Sequence, residues 1–194
     1  MPRVVAGLLK GLRLNSPVGL ATRPTADKVK EAIFSILAAL SFDFVGARVM
    51  DFFAGSGALA LEALSRGAAS AVITDHNPLA LITVNHNLAA ACRSLDLDVL
   101  VLKTTWPRGF EYLGAARPFN LFFLDPPYAE RQLPLKLLKE VARRSLAVPG
   151  ALAVWEQAPE TLAALTPAEA APWRIVRIRA WSKQAAVFME YQGY

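Results

Sequence analysis

Two carboxylates sit where a short apolar run gives way to turn-forming residues. Asp51 opens Asp51-Phe52-Phe53-Ala54-Gly55-Ser56-Gly57-Ala58, and Asp125 opens Asp125-Pro126-Pro127-Tyr128, about 70 residues further on. In an open α/β sheet, ligands collect at the carboxyl ends of strands. Both runs therefore sit where chemistry is expected, and each carries residue types that suit a particular task.

In the first run, glycines let the backbone turn tightly and let a ligand approach main-chain N–H groups at a helix start. Gly55-Ser56-Gly57-Ala58-Leu59-Ala60 also fits the dinucleotide fingerprint. Asp75, twenty residues after Gly55, suits either ligand, because a carboxylate ending the second strand accepts both hydroxyls of a ribose. Asp51 discriminates. A carboxylate just before the loop repels a pyrophosphate and holds a cationic α-amino group. S-adenosylmethionine carries that ammonium, a ribose and no phosphate, so charge placement favours it over a dinucleotide.

In the second run, consecutive prolines remove N–H donors and restrict the backbone, leaving carbonyls to face a ligand. Exocyclic base amines are poor nucleophiles because the ring delocalises their lone pair. Acceptors at both amine protons, here the Asp125 carboxylate and the Pro126 carbonyl, restore density on nitrogen and orient it. Tyr128 offers a flat face for a base held out of its stack. Asp-Pro-Pro alone is also a common turn. Its place after a buried strand, downstream of the Asp51 loop, is what points to amine chemistry.

Several elements must hold these residues. Short β-branched runs alternate with helical patterns, which predicts an α/β domain with a largely parallel sheet. Strands are expected over 48–52, 71–74, 99–102, 121–124 and 151–155, with two more over 174–180 and 186–191. Thr25-Ala26-Asp27-Lys28 starts a helix whose apolar face is Val29, Ala32, Ile33, Ile36, Leu37 and Leu40. Further helices are expected over 58–66, 78–92 and 133–145. Residues 3–14 read as a hairpin or extended arm, the pair Pro149-Gly150 as a turn leading into a strand, and 156–172 as a broken helix and loop. The chain reads as one domain, an N-terminal β arm over 1–24 and a core over 25–194.

Composition narrows the function classes. With 54% apolar and 19% charged residues, the 194-residue chain is globular. The single cysteine, Cys92, excludes an internal disulfide framework, and His76 and His86 do not have metal-ligand spacing. No uninterrupted apolar run reaches ~18 residues, and the N-terminus lacks a signal-peptide pattern. A cytoplasmic monomer with no metal and no membrane association is expected. The net charge of +5 permits an anionic partner. Before position 31 lie Arg3, Lys10, Arg13, Arg23, Lys28 and Lys30 against Asp27 alone; Arg174, Arg177, Arg179 and Lys183 form a second basic group. Such groups are either a solvated surface or a nucleic-acid contact.

With both motifs placed, the chain resembles the RsmD family of bacterial small-subunit ribosomal RNA guanine-N2 methyltransferases. Arg3-Val4-Val5-Ala6-Gly7 with Lys10-Gly11 resembles the family's opening. Thr22-Arg23-Pro24-Thr25 with Asp27, Val29, Glu31, Ala32 and Phe34 resembles its second block. Asp51 through Leu59, continuing through Glu62-Ala63-Leu64-Ser65-Arg66-Gly67-Ala68, is similar to its cofactor motif, and Asp125 to Tyr128 to its catalytic motif.

The resemblance implies a Rossmann-like class I methyltransferase with a mostly parallel seven-stranded sheet and helices on both faces. It implies that Asp51, Phe53, Ala54, Gly55, Ser56 and Gly57 bind the methionine part of S-adenosylmethionine and Asp75 the ribose, with Thr25 and Asp27 bordering the pocket. Asp125, Pro126, Pro127 and Tyr128 would hold the guanine amine. Lys10, Arg13, Arg23 and Tyr128 are the expected contacts to 16S ribosomal RNA in the small subunit. Where the family usually places an acid for the adenine amine, this sequence has Lys103-Thr104-Thr105-Trp106, so a threonine hydroxyl, foremost that of Thr104, or a backbone carbonyl would take its place. The tail Trp181-Ser182-Lys183-Gln184 also lacks the family's usual Tyr-Gly turn. A DNA adenine or cytosine amino-methyltransferase, a nucleotide-linked oxidoreductase and a non-catalytic RNA-binding protein on the same fold are the competing readings.

Overall fold

Alternation of apolar strands with helices gives two compact units, Met1–Thr104 and Thr105–Tyr194, in a computed structural model that describes residues 2–17, 26–113, 118–126 and 132–193. In the first unit the arm closes on itself before any regular element begins. Arg3 bridges Arg13 in antiparallel fashion, Val4 N donates to Leu12 O at 2.9 Å, and Leu14 N to Pro2 O at 2.8 Å. Helix α1 (Ala26–Ala39) then buries Val29, Ile33, Phe34 and Leu37, whose spacing of three and four residues makes one face. Each such side chain contributes about 1.5–3 kcal/mol of burial.

Strand β1 (Arg48–Asp51), helix α2 (Ala58–Ser65), strand β2 (Ser70–Asp75), helix α3 (Pro78–Ala91) and strand β3 (Asp98–Lys103) follow. The three strands pair in parallel with β2 in the centre. Asp51 is level with Ile73, so β2 runs two residues beyond β1 and carries Asp75 past the mouth of the first strand. Pro78 begins α3 and Asn77 caps it by accepting from Leu79 N at 2.9 Å.

The second unit holds a 3-10 turn at Arg108–Tyr112, strand β4 (Phe119–Leu124), helix α4 (Leu133–Arg143), strand β5 (Ala147–Gln157), two short helices α5 (Pro159–Ala163) and α6 (Pro167–Ala170), and strands β6 (Trp173–Trp181) and β7 (Gln184–Tyr191). β4 and β5 are parallel; β7 runs antiparallel to both β5 and β6. The core here is aromatic. Phe122 and Trp173 meet edge to face at 5.6 Å between ring centroids, and the Trp173 Nε1 donates to Leu138 O at 3.0 Å, tying α4 to β6.

Two expectations shift. Pro149-Gly150 is not a turn before a strand but lies inside β5, where the register slips between Phe119↔Ala147 and Leu121↔Leu152. Gly150 at φ 79 and an exposed Pro149 let the strand bulge there without losing its direction. The 3-10 turn was not foreseen; buried Phe110 packs against Trp106 at 4.7 Å and fixes it. Residues 159–170 do form broken helix, each piece starting on a proline. No helix among the described residues is long and apolar enough to cross a membrane.

Candidate functional site

The glycine loop is held before any ligand arrives. Thr74 Oγ1, inside β2, donates to Phe52 O at 2.9 Å and Asp51 O at 3.2 Å, which fixes the exit of β1. Ala54 N donates to Thr74 O at 2.9 Å, and Gly57 N closes the turn on Ala54 O at 2.7 Å. Gly55 (φ 55) and Gly57 (φ 77) both take left-handed backbone, where a side chain is strained. A Cβ on Gly55 would meet nothing within 4 Å, so the loop presents open space at that point. Gly57 starts α2 with no side-chain cap, which leaves the helix's first N–H groups facing the loop.

Asp51 is 1% exposed at the end of β1. Asp75 accepts from Gly55 N at 2.9 Å through Oδ2 and from Asn77 N at 2.8 Å through Oδ1. A carboxylate offers about four lone-pair sites, so two donors leave room for ribose hydroxyls. A buried anion, open backbone and a second carboxylate fit a cationic amine and a diol better than a pyrophosphate. Thr104 N donates to Asp75 O at 3.1 Å, which places this buried threonine, just past the end of β3, beside Asp75. Exposed Lys103 is its neighbour, level with Asp75.

Asp27, half-buried in the first turn of α1, accepts from Arg3 N at 3.4 Å, toward the arm. Lys10 and Arg13 are exposed on that arm. Lys30 differs from its basic neighbours: it is 5% exposed and pairs with Glu62 at 3.2 Å. Arg23, Thr25, Pro127 and Tyr128 lie outside the described residues. In the second unit, Asp125 is exposed and Pro126 buried, directly after Leu121–Leu124, all four of which are buried.

Sequence reasoning missed two positioning groups. Asn87 of α3, 1% exposed, donates to Ser56 O in the loop at 2.9 Å and to Asn15 O in the arm at 3.0 Å. Glu62 and Ser65, which belong to the stretch similar to a cofactor motif, turn instead to the arm. Glu62 accepts from Val5 N at 2.8 Å and Ala6 N at 3.1 Å, and Ser65 Oγ from Leu9 N at 2.9 Å. Their i, i+3 spacing on one face of α2 is the signal that was available.

Residues 2–190 match the family described as Conserved hypothetical protein 95. The chain belongs to this family. The "Putative rRNA methyltransferase YlbH" of Bacillus subtilis is 41% identical to the chain over 133 residues, which is 68% of the chain and 69% of that protein. The "Ribosomal RNA small subunit methyltransferase D" of Escherichia coli K12 is 35% identical over 133 residues, 65% of the chain and 60% of the relative's own length. These relatives bear out the resemblance to the RsmD family. Among solved structures, the "Putative methyltransferase yhhF" of Escherichia coli aligns over 100% of the chain and 99% of its own, with 28% identity and a TM-score of 0.78. The structure of "SMU.776, a putative methyltransferase complexed with SAH" shares the fold at 12% identity and a TM-score of 0.64, over 87% of the chain and 50% of its own. The family thus has the Rossmann-like α/β methyltransferase fold expected from the strand and helix pattern.

Proposed function

We propose that this protein transfers a methyl group from S-adenosylmethionine to the exocyclic N2 amine of one guanine in 16S ribosomal RNA of the small subunit. The observation that carries the reading is Asp125, an exposed carboxylate that follows four consecutive buried residues, Leu121–Leu124, and is followed at once by buried Pro126. Membership of a family with relatives named as ribosomal RNA methyltransferases supports the substrate class.

The cofactor, when bound, supplies an electrophilic methyl on a sulfonium; every other task falls to the chain. Asp51 holds the cationic amine, the Gly55–Gly57 backbone leaves room for the methionine part, Asp75 accepts the ribose hydroxyls, and Thr104 lines the adenine side. Asp125 and the Pro126 carbonyl accept the two amine protons and orient the nitrogen lone pair. The amine becomes acidic only as the new N–C bond forms, so Asp125 acts first as a hydrogen-bond acceptor and receives the proton afterwards. Pro127 and Tyr128 complete the motif by resemblance, with Tyr128 stacking on the extruded base.

The test is methyl incorporation into 16S RNA, small subunits and duplex DNA, followed by mass mapping of the product. A single N2-methylguanine in RNA is expected, and D125A lowers kcat at least about 100-fold. Methylation of DNA alone, or wild-type turnover by D125A, overturns the reading.

A further inference from the structure

The second unit carries a basic edge that the catalytic strand's own register brings into line with Asp125. Across the sheet, Leu124 of β4 is level with Trp155 of β5, Trp155 with Val187 of β7, and Val187 with Ile178 of β6. One step further along, Asp125 therefore shares a rank with Arg179. Three strand spacings separate them, about 14 Å. Beyond that rank, on the carboxyl side of β4, lie Ala180, Trp181 and the two-residue turn Ser182-Lys183 that joins β6 to β7.

This edge is rich in cations. No aspartate or glutamate occurs between Glu169 and Glu190, a stretch that holds Arg174, Arg177, Arg179 and Lys183. Arg177, Arg179 and Lys183 are exposed and Trp181 half-exposed. β6 pairs only with β7 among the described strands, and alternation sends Arg177, Arg179 and Trp181 to one side of it. Arg174 stands apart: it pairs with Glu190 and is level with the start of β4, at the far end from Asp125.

We infer that Arg179, Trp181 and Lys183 form a second RNA-binding surface, which grips the strand flanking the target nucleotide. The inference rests on the RNA reading above. Spaced cations meet phosphates, and an aromatic face among them takes an unpaired base. At a rise of about 3.4 Å per residue for a stacked strand, about 14 Å puts this contact some four nucleotides from the methylated base.

The experiment uses the full chain with R179E/K183E, W181A and R174A, on 16S RNA and on small subunits. For R179E/K183E, KM for RNA rises at least about tenfold while kcat and S-adenosylhomocysteine affinity stay within about twofold. The slope of log affinity against log salt falls by about one to two, as expected for two lost phosphate contacts. W181A raises KM without changing the salt slope, and R174A leaves KM within about twofold. R179A/K183A, checked for wild-type thermal unfolding, shifts KM and salt slope in the same direction, so a misfolded protein cannot produce the result. Wild-type KM and salt slope in R179E/K183E, or an equal loss in R174A, overturns the inference while RNA methylation stands. A wild-type protein that methylates no RNA overturns the functional reading and this inference together.

Discussion

Asn87 donates to the Ser56 carbonyl across 2.9 Å, pinning the middle of the glycine loop from α3. The same amide accepts from Asn15 N at 2.8 Å and donates to Asn15 O at 3.0 Å, so loop and arm share one buried side chain. Alanine here leaves three backbone groups without their partner. N87A should weaken S-adenosylhomocysteine binding by about 5- to 30-fold, or about 1–2 kcal/mol, and hasten proteolysis of the arm. Titration calorimetry alongside limited proteolysis checks both; unchanged affinity refutes the loop-pinning role.

Glu62 is fully buried and gathers Lys30, Arg66 and the N–H groups of Val5 and Ala6. Removing its charge takes the counter-ion from a lysine that is itself 5% exposed and whose other partner is the Arg3 carbonyl. E62Q should cost about 3–5 kcal/mol in urea unfolding, and adding K30M should recover part of it. If E62Q/K30M is no more stable than E62Q, the buried pair is not what the single variant lost.

Gly7 has φ 80, and a Cβ there would fall 1.8 Å from the Ser65 carbonyl oxygen. Gly11 has φ 89 with nothing within 4 Å of that position. G11A should therefore show only the left-handed backbone cost of about 1 kcal/mol, whereas G7A adds a clash of about 1–3 kcal/mol. Equal destabilisation of the two variants in chemical denaturation contradicts the close approach of arm and α2.

Hydrogen bonds from Arg143 and Arg144 hold Glu140 down from 4.5 to about 2. A folded-state value below the unfolded one gives stability that is fully present above about pH 4.5 and lost as pH falls through about 2. The carboxylate is one-third exposed, so solvent screening keeps the contribution under about 1 kcal/mol. The stability gap between wild type and E140Q should close between pH 5 and pH 2; a gap independent of pH rules the linkage out.

The strands were readable because Val49-Met50, Ala71–Thr74 and Leu121–Leu124 are apolar runs closed by turn residues or acids. Pro149-Gly150 misled because the same dipeptide serves a turn and a bulge, and only the neighbouring strand's register separates them. Asp51, Asp75 and Asp125 were legible as acids at the ends of apolar strands. Asn87 was not, since an asparagine inside an apolar helix does not announce which two distant carbonyls it will meet. Lys30 read as one of a basic set, yet Glu62, 32 residues away, takes it into the interior. Distance along the chain hides such partners from any local pattern.

That distance also sets a timetable. Val5, Leu9 and Asn15 take partners that lie 57, 56 and 72 residues downstream. At a synthesis rate of about 5–20 residues per second, the arm waits roughly 3–15 s for α2 and α3 to be made. The arm, made before α2 and α3, is thus among the last parts of its unit to settle, and in the interval Lys10 and Arg13 travel on an open tether. Chains stalled before α3 emerges should lose the arm to protease, and chains stalled after it should keep it.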